Sequence, residues 1–323
     1  MRTQLLARVA VAVLLMLALM AALVALSLPG KREPSYQGRS LSQWLKTYTL
    51  AGQRQLPWEQ RAPAMVAIRS LGPNHLPLLL QWVRFEPARG PGREVGVMEG
   101  VTYSGFLPAW QTKVPSVLKP LLSWWSQQRP LRDDEAALAA FHILGPAASA
   151  AIPELEHLAL ATNHPYASRT AVVALARIGK ASLPSLLTIL ANTNAPNLDR
   201  VMECLGNYPD LATNAHAAVP MIVRHLKNPD AMGLAVTTLG KLALEPGIAV
   251  PALMDCLPSS NDWLRGQAIV ALGRFGSEAR SAVPALNAAL QDADPSVRND
   301  ATNALRSIAP ETLPNPPLAV ERK

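Results

Sequence analysis

The chain has 323 residues, of which 49% are hydrophobic and only 16% are charged, and this composition argues against disorder over most of its length. The formal net charge of +7 is unevenly spread: residues 1–30 contribute +2, residues 31–130 contribute +8 and residues 131–323 contribute −3. The basic character therefore belongs to the N-terminal third. Because the longer C-terminal part is slightly acidic, we do not expect it to bind nucleic acid along its length.

An uncharged apolar segment of twenty residues runs from 9 to 28, and two arginines precede it. This length suffices to span a bilayer, whereas the apolar region of a cleaved signal peptide is usually shorter, about 7–15 residues. We expect an uncleaved transmembrane signal anchor. The positive charge ahead of it should stay in the cytoplasm, so residues 31–323 should be exported. The alternative is cleavage near Ala25–Ser27, which would leave a secreted protein.

A repeated pair of predicted helices is the strongest signal in the chain. Residues 268–276 place small or apolar side chains at i, i+3, i+4 and i+7, which is one face of a helix, and Gly276 ends that helix. Pro284 then lies near the start of a second helix. The corresponding prolines, spaced 31–36 residues apart, are Pro153, Pro184, Pro220, Pro251 and Pro284, with an earlier copy at Pro77. One such pair cannot bury its own apolar face, so the pairs should stack into an array.

Three motifs of this unit resemble those of HEAT-repeat proteins: Ala-Leu-Gly-Arg-Phe-Gly at 271–276, Ala-Val-Pro-Ala-Leu at 282–286 and Asp-Pro-Ser-Val-Arg at 294–298. The resemblance covers residues 131–310 well and 56–86 moderately. The opening at 36–45 is similar to that of exported, membrane-anchored bacterial members. The resemblance implies an all-α fold, an α-solenoid of about six to seven HEAT-like helical hairpins, one of them degenerate, behind an N-terminal transmembrane helix.

The resemblance also implies a ladder of ion pairs between repeats. In such families an aspartate after the second helix often pairs with an arginine early in the next first helix. Here Asp262 with Arg265, and Asp294 with Arg298, look like that ladder.

The domain organisation follows from these patterns. Leu41, Trp44, Leu45 and Tyr48 form an apolar stripe on a helix that Ser40 can cap, and this helix should cover the open end of the stack. The predicted parts are a cytoplasmic N-terminus (1–8), the anchor (9–28), a linker with the capping helix (29–55), N-terminal repeats (56–130) interrupted by an irregular loop (87–114), regular repeats (131–310) and an irregular tail (311–323).

Motifs that carry chemistry are missing from the sequence. It contains no HExxH, GxSxG or P-loop pattern, and its histidines do not pair with carboxylates at the spacing of metal ligands. We therefore predict no catalytic residue, no metal and no cofactor. Cys204 and Cys256 fall where the repeat carries small apolar residues and are predicted to be buried free thiols.

The aromatic residues are distributed unevenly. Six of the seven tryptophans precede residue 130, in the same third that is basic. Tryptophan, tyrosine and arginine are typical anchors of binding surfaces, and long loops on repeat scaffolds often carry binding. The candidate partner-binding residues are Arg89, Arg93, Tyr103, Phe106 and Trp110. The alternative is that the aromatic residues only pack the less regular N-terminal end of the array.

These observations predict a non-enzymatic, membrane-tethered HEAT-repeat scaffold that mediates protein–protein interaction outside the cytoplasm. It would be a single-pass protein of the inner membrane, with its repeats in the periplasm or exterior. The alternatives are an enzyme, since HEAT-like repeats occur in lyases acting on bilins and in some DNA repair glycosylases, or a basic nucleic-acid-binding solenoid. Both alternatives require the C-terminal region to be cytoplasmic. The sequence does not identify the partner.

Overall fold

A computed structural model describes residues 33–53, 57–84 and 132–312. The predicted membrane segment 9–28 and the irregular loop 87–114 lie outside the described residues. The chain divides into two compact units, one ending at Leu71 and the other beginning at Gly72.

The first unit contains a short hairpin followed by two helices. Strands β1 (Ser35–Tyr36) and β2 (Arg39–Ser40) pair antiparallel, and helices α1 (Leu41–Gln53) and α2 (Trp58–Leu71) pack against each other. The two turn residues have positive φ angles, 50° at Gln37 and 76° at Gly38. A two-residue hairpin needs this backbone conformation, which glycine adopts without strain.

The sequence Ser-x-x-Gln starts α1 with a capping box. The Gln43 backbone N–H donates to Ser40 Oγ (3.4 Å), and the Ser40 N–H donates to Gln43 Oε1 (3.0 Å). Leu41, Trp44 and Leu45 are buried, as the apolar stripe predicts. The helix ends at Gln53. Its role as a cover for the repeat array stays a prediction.

The second unit is a stack of helix pairs. In chain order its helices are α3 (Leu76–Val83), α4 (Asp133–Leu144), α5 (Ile152–Ala159), α6 (Pro165–Ile178), α7 (Leu183–Ala191), α8 (Leu198–Asn207), α9 (Pro209–Ala212), α10 (Val219–His225), α11 (Pro229–Leu242), α12 (Pro246–Met254), α13 (Asp262–Arg274), α14 (Val283–Ala289) and α15 (Pro295–Ile308). The first helices of the pairs are α4, α6, α8, α11, α13 and α15, and each packs against the next. The described repeats therefore form an α-solenoid.

Glycines end first helices and prolines begin second helices as the repeat pattern predicts, with one exception. Gly145, Gly179 and Gly276 follow first helices with φ angles of +50°, +86° and +55°, a conformation that side chains with a Cβ disfavour. The proline lies in the first turn of most second helices, but Pro251 is inside α12, which begins five residues earlier at Pro246. The reason is local, because left-handed Ala243 and Glu245 make the preceding turn tight.

Small residues set the distance between first helices in the C-terminal part of the stack. A Cβ added to Gly240 of α11 would lie 2.7 Å from the Ala271 backbone of α13. One added to Gly273 of α13 would lie 3.1 Å from the Ala304 backbone of α15. The helix backbones therefore approach directly at these glycines, and a methyl group has no room.

Within the described residues, the stretch Asp133–Ala159 is long and apolar enough, by length and composition, to cross a membrane. It comprises α4 and α5, which Gly145 separates, and 56% of its apolar window is buried inside the stack. Burial of this kind is typical of a core helix pair.

Candidate functional site

The five candidate partner-binding residues of the sequence, Arg89, Arg93, Tyr103, Phe106 and Trp110, lie outside the described residues. Their role stays a prediction. The structure does place the four ladder residues, and it also reveals two polar clusters, an exposed tryptophan and a shallow groove that sequence reasoning did not select.

The ladder residues make a different set of contacts from the predicted pairs. Arg265 donates from Nε and Nη2 to both carboxylate oxygens of Asp292 (2.8 and 2.7 Å) and from Nη1 to the Ser259 carbonyl (2.9 Å). It therefore joins the loop before α13 to the loop before α15. The hydrogen bonds from Arg265 lower the pKa of Asp292. The repeat motif alone does not point to Asp292, because it lies two residues before the cap position.

The other three ladder residues lie at the first turns of their helices. Asp294 caps α15, accepting from the backbone N–H groups of Ser296 (2.7 Å) and Val297 (3.2 Å). Arg298 donates to the carbonyl of Asp292 at 2.6 Å, six residues back, just as Arg265 donates to Ser259. Asp262 accepts from the next backbone N–H at 2.7 Å. The feature that repeats is thus an arginine that donates a hydrogen bond to a backbone carbonyl in the loop before its own helix.

A triad of Arg132, Asp134 and Tyr166 joins α4 to α6. The Arg132 guanidinium donates to both Asp134 oxygens (3.0 Å each), and the Tyr166 hydroxyl donates to the same carboxylate (2.5 Å) and contacts the guanidinium. The guanidinium carbon lies 5.5 Å from the centre of the tyrosine ring. Burial, then the hydrogen bond to Asp134, raises the pKa of the Tyr166 hydroxyl. The arrangement satisfies a carboxylate that is only 3% exposed.

Ser168 makes a second polar link between repeats. Its hydroxyl donates to the Ala159 carbonyl (2.6 Å) and accepts from the Asn197 side-chain amide (2.8 Å). Counted along the helix, Ser168 has the same position in α6 as Arg265 has in α13. Ser168 thus connects the end of α5 to the residue before α8, just as Arg265 connects the loop before α13 to the loop before α15.

Trp263, at the second position of α13, is 56% exposed. Its ring lies against Gly233 of α11, where an added Cβ would come within 2.6 Å of the indole. Of the tryptophans whose side chains the structure describes, Trp44 and Trp82 are buried, so Trp263 differs from both. An alignment of the repeats by their helix starts would have shown that Trp263 shares this position with Tyr166, whereas the other first helices carry an aspartate or a serine there.

A shallow groove of about 410 Å³ lies in the first unit. The residues that line it are Gln37, Arg39, Trp44, Thr47, Pro63 and Ala64. The Arg39 guanidinium stacks 5.0 Å from the Trp44 ring centre, and the indole N–H donates to the Tyr36 carbonyl (3.0 Å). Arg39 and Trp44 therefore already form a cation–π contact with each other in this groove.

The described residues contain no group of three or more histidine, cysteine, aspartate or glutamate side chains placed to hold a metal ion. Cys204 and Cys256 are buried and form no disulfide within the described residues, as predicted. Burial raises the pKa of the Cys256 thiol, and the neighbouring Asp255 carboxylate raises it further. Such a thiol is protonated and slow to react at neutral pH.

Comparison with known proteins supports the repeat assignment. Residues 250–315 match the HEAT repeat family. A search of curated proteins found no match. An engineered protein of known crystal structure is similar at 20% identity, over 60% of this chain and 96% of its own, with a TM-score of 0.37. The family match at residues 250–315 supports HEAT repeats in this part of the chain, and such repeats are commonly non-catalytic scaffolds for protein interaction.

Proposed function

We propose that the chain is a non-enzymatic scaffold that holds protein partners outside the cytoplasm, while residues 9–28 tether it to the inner membrane as a single-pass anchor. The observation that carries this proposal is the stack of helix pairs from α4 to α15. The helices bury their apolar side chains against their neighbours, so the exposed side chains of successive pairs form a surface along the array. A surface of this kind suits a protein partner better than a small molecule, which needs an enclosed pocket.

The apolar segment supports the tether. It is long enough to span a bilayer, and the arginines before it favour an N-terminus in the cytoplasm. The test fuses alkaline phosphatase, which is active only after export, to the C-terminus of the full chain. A matched fusion lacks residues 9–28. We expect activity in the first fusion only, and membrane retention of the chain after alkaline extraction. An inactive full-length fusion would contradict export, and extraction into the supernatant would indicate cleavage.

Partner binding is tested by crosslinking the full chain in intact cells. We expect specific crosslinked proteins that disappear when the chain is replaced by its first 130 residues. A second variant lacks only residues 87–114. Loss of the crosslinks in this variant would support the loop as a binding site, and their retention would exclude the loop without affecting the scaffold proposal. Absence of any crosslinked protein would contradict the scaffold itself.

A further inference from the structure

Two first helices of the array carry an aromatic residue at their second position, and only one of the two rings has a cation over it among the described residues. Tyr166 occupies this position in α6, and Arg132 stacks on its ring. Trp263 occupies it in α13, where the described residues place no guanidinium or ammonium group over the ring. The α4–α6 interface therefore serves as an internal template for the α11–α13 interface.

The carboxylate of the template is repeated as well. Asp134 is the second residue of α4, and Asp230 is the second residue of α11, the helix that precedes Trp263. Asp230 lies one turn before Gly233, which contacts the indole, so both are on the same face of α11. The cation is what differs, since Arg132 stands directly before α4 and Asn228 stands directly before α11. The aromatic ring and the carboxylate are kept while the guanidinium is replaced.

The residue against which the Trp263 indole packs also indicates a defined position for the ring. Glycine inside a helix costs about 1 kcal/mol relative to alanine, yet α11 has Gly233 where the indole rests. The exposed ring thus rests on the face of α11 that carries Asp230.

Three cations lie close in sequence to this face, and two of them already have partners. Arg265 is bound to both oxygens of Asp292, and Arg298 is bound to the carbonyls of Asp292 and Ala293. The third, Lys227, is three residues before Asp230. In the part of the chain that the structure describes, Asp230 has no ion pair. The face therefore combines negative charge with an exposed aromatic ring, and it is complementary to a cation.

We propose that Trp263 and Asp230 form a receptor for an arginine side chain on a basic segment of the protein partner. The guanidinium lies over the indole in the place that Arg132 takes over Tyr166, and the Asp230 carboxylate accepts its N–H groups as Asp134 does in the template. This proposal rests on the scaffold function proposed above and names the chemistry of the partner's contact.

The experiment uses the full chain in detergent and a fluorescently labelled hexapeptide of alternating glycine and arginine, with binding measured by fluorescence anisotropy. The same peptide with citrulline in place of arginine controls for charge, because citrulline is nearly isosteric and neutral. We expect the arginine peptide to bind, the citrulline peptide not to bind, and Trp263→Ala to weaken binding about tenfold. Because Trp263 is largely exposed, this variant should keep its circular dichroism spectrum.

A pair of substitutions at Asn228 gives the sharper test. Asn228→Arg supplies a guanidinium at the template position, so it should fill the receptor and weaken peptide binding about tenfold. Asn228→Ala removes the same helix cap without adding a cation and should bind as the wild type does. Equal binding by the Arg variant and the wild type would overturn the proposal.

Two further outcomes separate the proposal from its alternatives. If Trp263→Ala leaves peptide binding unchanged but converts a sedimenting dimer into a monomer, the face is a contact between copies of the chain, and the proposal is wrong. If Trp263→Ala loses neither the peptide nor the partners crosslinked in cells, the receptor is wrong while the scaffold function stands. Failure of the wild type to crosslink any protein would contradict the scaffold function instead.

Discussion

Six polar or charged side chains are buried in the region from α4 to α8, whereas among the residues from α11 to α15 only Thr238 is a buried polar side chain. In the first region, which we name the polar half, Asp134 and Ser168 link neighbouring repeats through directed hydrogen bonds. In the second, the glycine half, Gly240 and Gly273 let the helix backbones touch. The same repeat thus uses two kinds of contact to fix the spacing of its helices.

The comparison shows which changes each half can tolerate. A directed hydrogen bond fails when one partner is lost, because the other is left unsatisfied in the interior. A backbone contact fails when anything is added, because the neighbouring helix must move. The family match at 250–315 lies mainly in the glycine half, where small residues recur at a constant register.

The largest effect is expected in the glycine half. Gly240→Ala places a methyl group 2.7 Å from the Ala271 backbone, and the overpacking should lower the free energy of unfolding by about 2 kcal/mol even after the gain in helix propensity. The free energy of unfolding is measured by urea denaturation of the full chain in detergent, followed by circular dichroism. Gly247→Ala is the control, since its Cβ meets nothing within 4 Å. Similar losses in both variants would show that backbone contact does not set the helix spacing.

The next largest effect is expected when a buried hydroxyl of the polar half is deleted. Ser168→Ala leaves the Ala159 carbonyl and the Asn197 amide without their shared partner, and we expect a loss of about 1.5 kcal/mol in the free energy of unfolding. Thr188→Ala removes an exposed hydroxyl and should change it by less than about 0.5 kcal/mol. If Ser168→Ala is as mild as Thr188→Ala, the buried hydroxyl contributes nothing to the inter-repeat contact.

Tyr166→Phe removes the two hydrogen bonds of the hydroxyl, to Asp134 and from Arg132, and should lower the free energy of unfolding by about 1 kcal/mol at pH 7. The pH dependence is more specific. The folded state raises the pKa of Tyr166, so its contribution is complete below the unfolded value of about 10 and is lost as the pH rises above it. Unfolding measured from pH 8 to 11 should therefore show a smaller alkaline decline in the variant. If stability falls equally with pH in the wild type and the variant, the pKa of Tyr166 is the same in the folded and the unfolded state.

The smallest effect is expected for the part-buried pair of Arg265 and Asp292 in the glycine half. Arg265 holds the pKa of Asp292 below its ordinary range, so this pair stabilises the fold above about pH 4 and less as the pH falls through the folded pKa. Asp292→Asn should lower stability at pH 7 by less than the three preceding variants, and the difference from wild type should shrink at acid pH. A difference that persists unchanged at pH 3 would assign the effect to packing.

Much of the repeat architecture follows from local sequence. The spacing of small apolar residues at i, i+3, i+4 and i+7 predicts the first helices, because only those positions share one helix face. Gly145, Gly179 and Gly276 predict the helix ends, since each requires a positive φ. The early start of α12 was not predicted, because the left-handed conformations of Ala243 and Glu245 have no signal as strong as glycine.

The sequence by itself determined the helices, their order and the need to stack, since a single pair cannot bury its apolar face. Only the tertiary structure decided which side chains meet across repeats. Arg265 binds Asp292 rather than Asp262 because the loop before α15 comes close to α13. Trp263 is exposed because its ring packs on the surface of α11 at Gly233. Both contacts join residues about thirty positions apart, and their distance depends on helix packing that no local pattern contains.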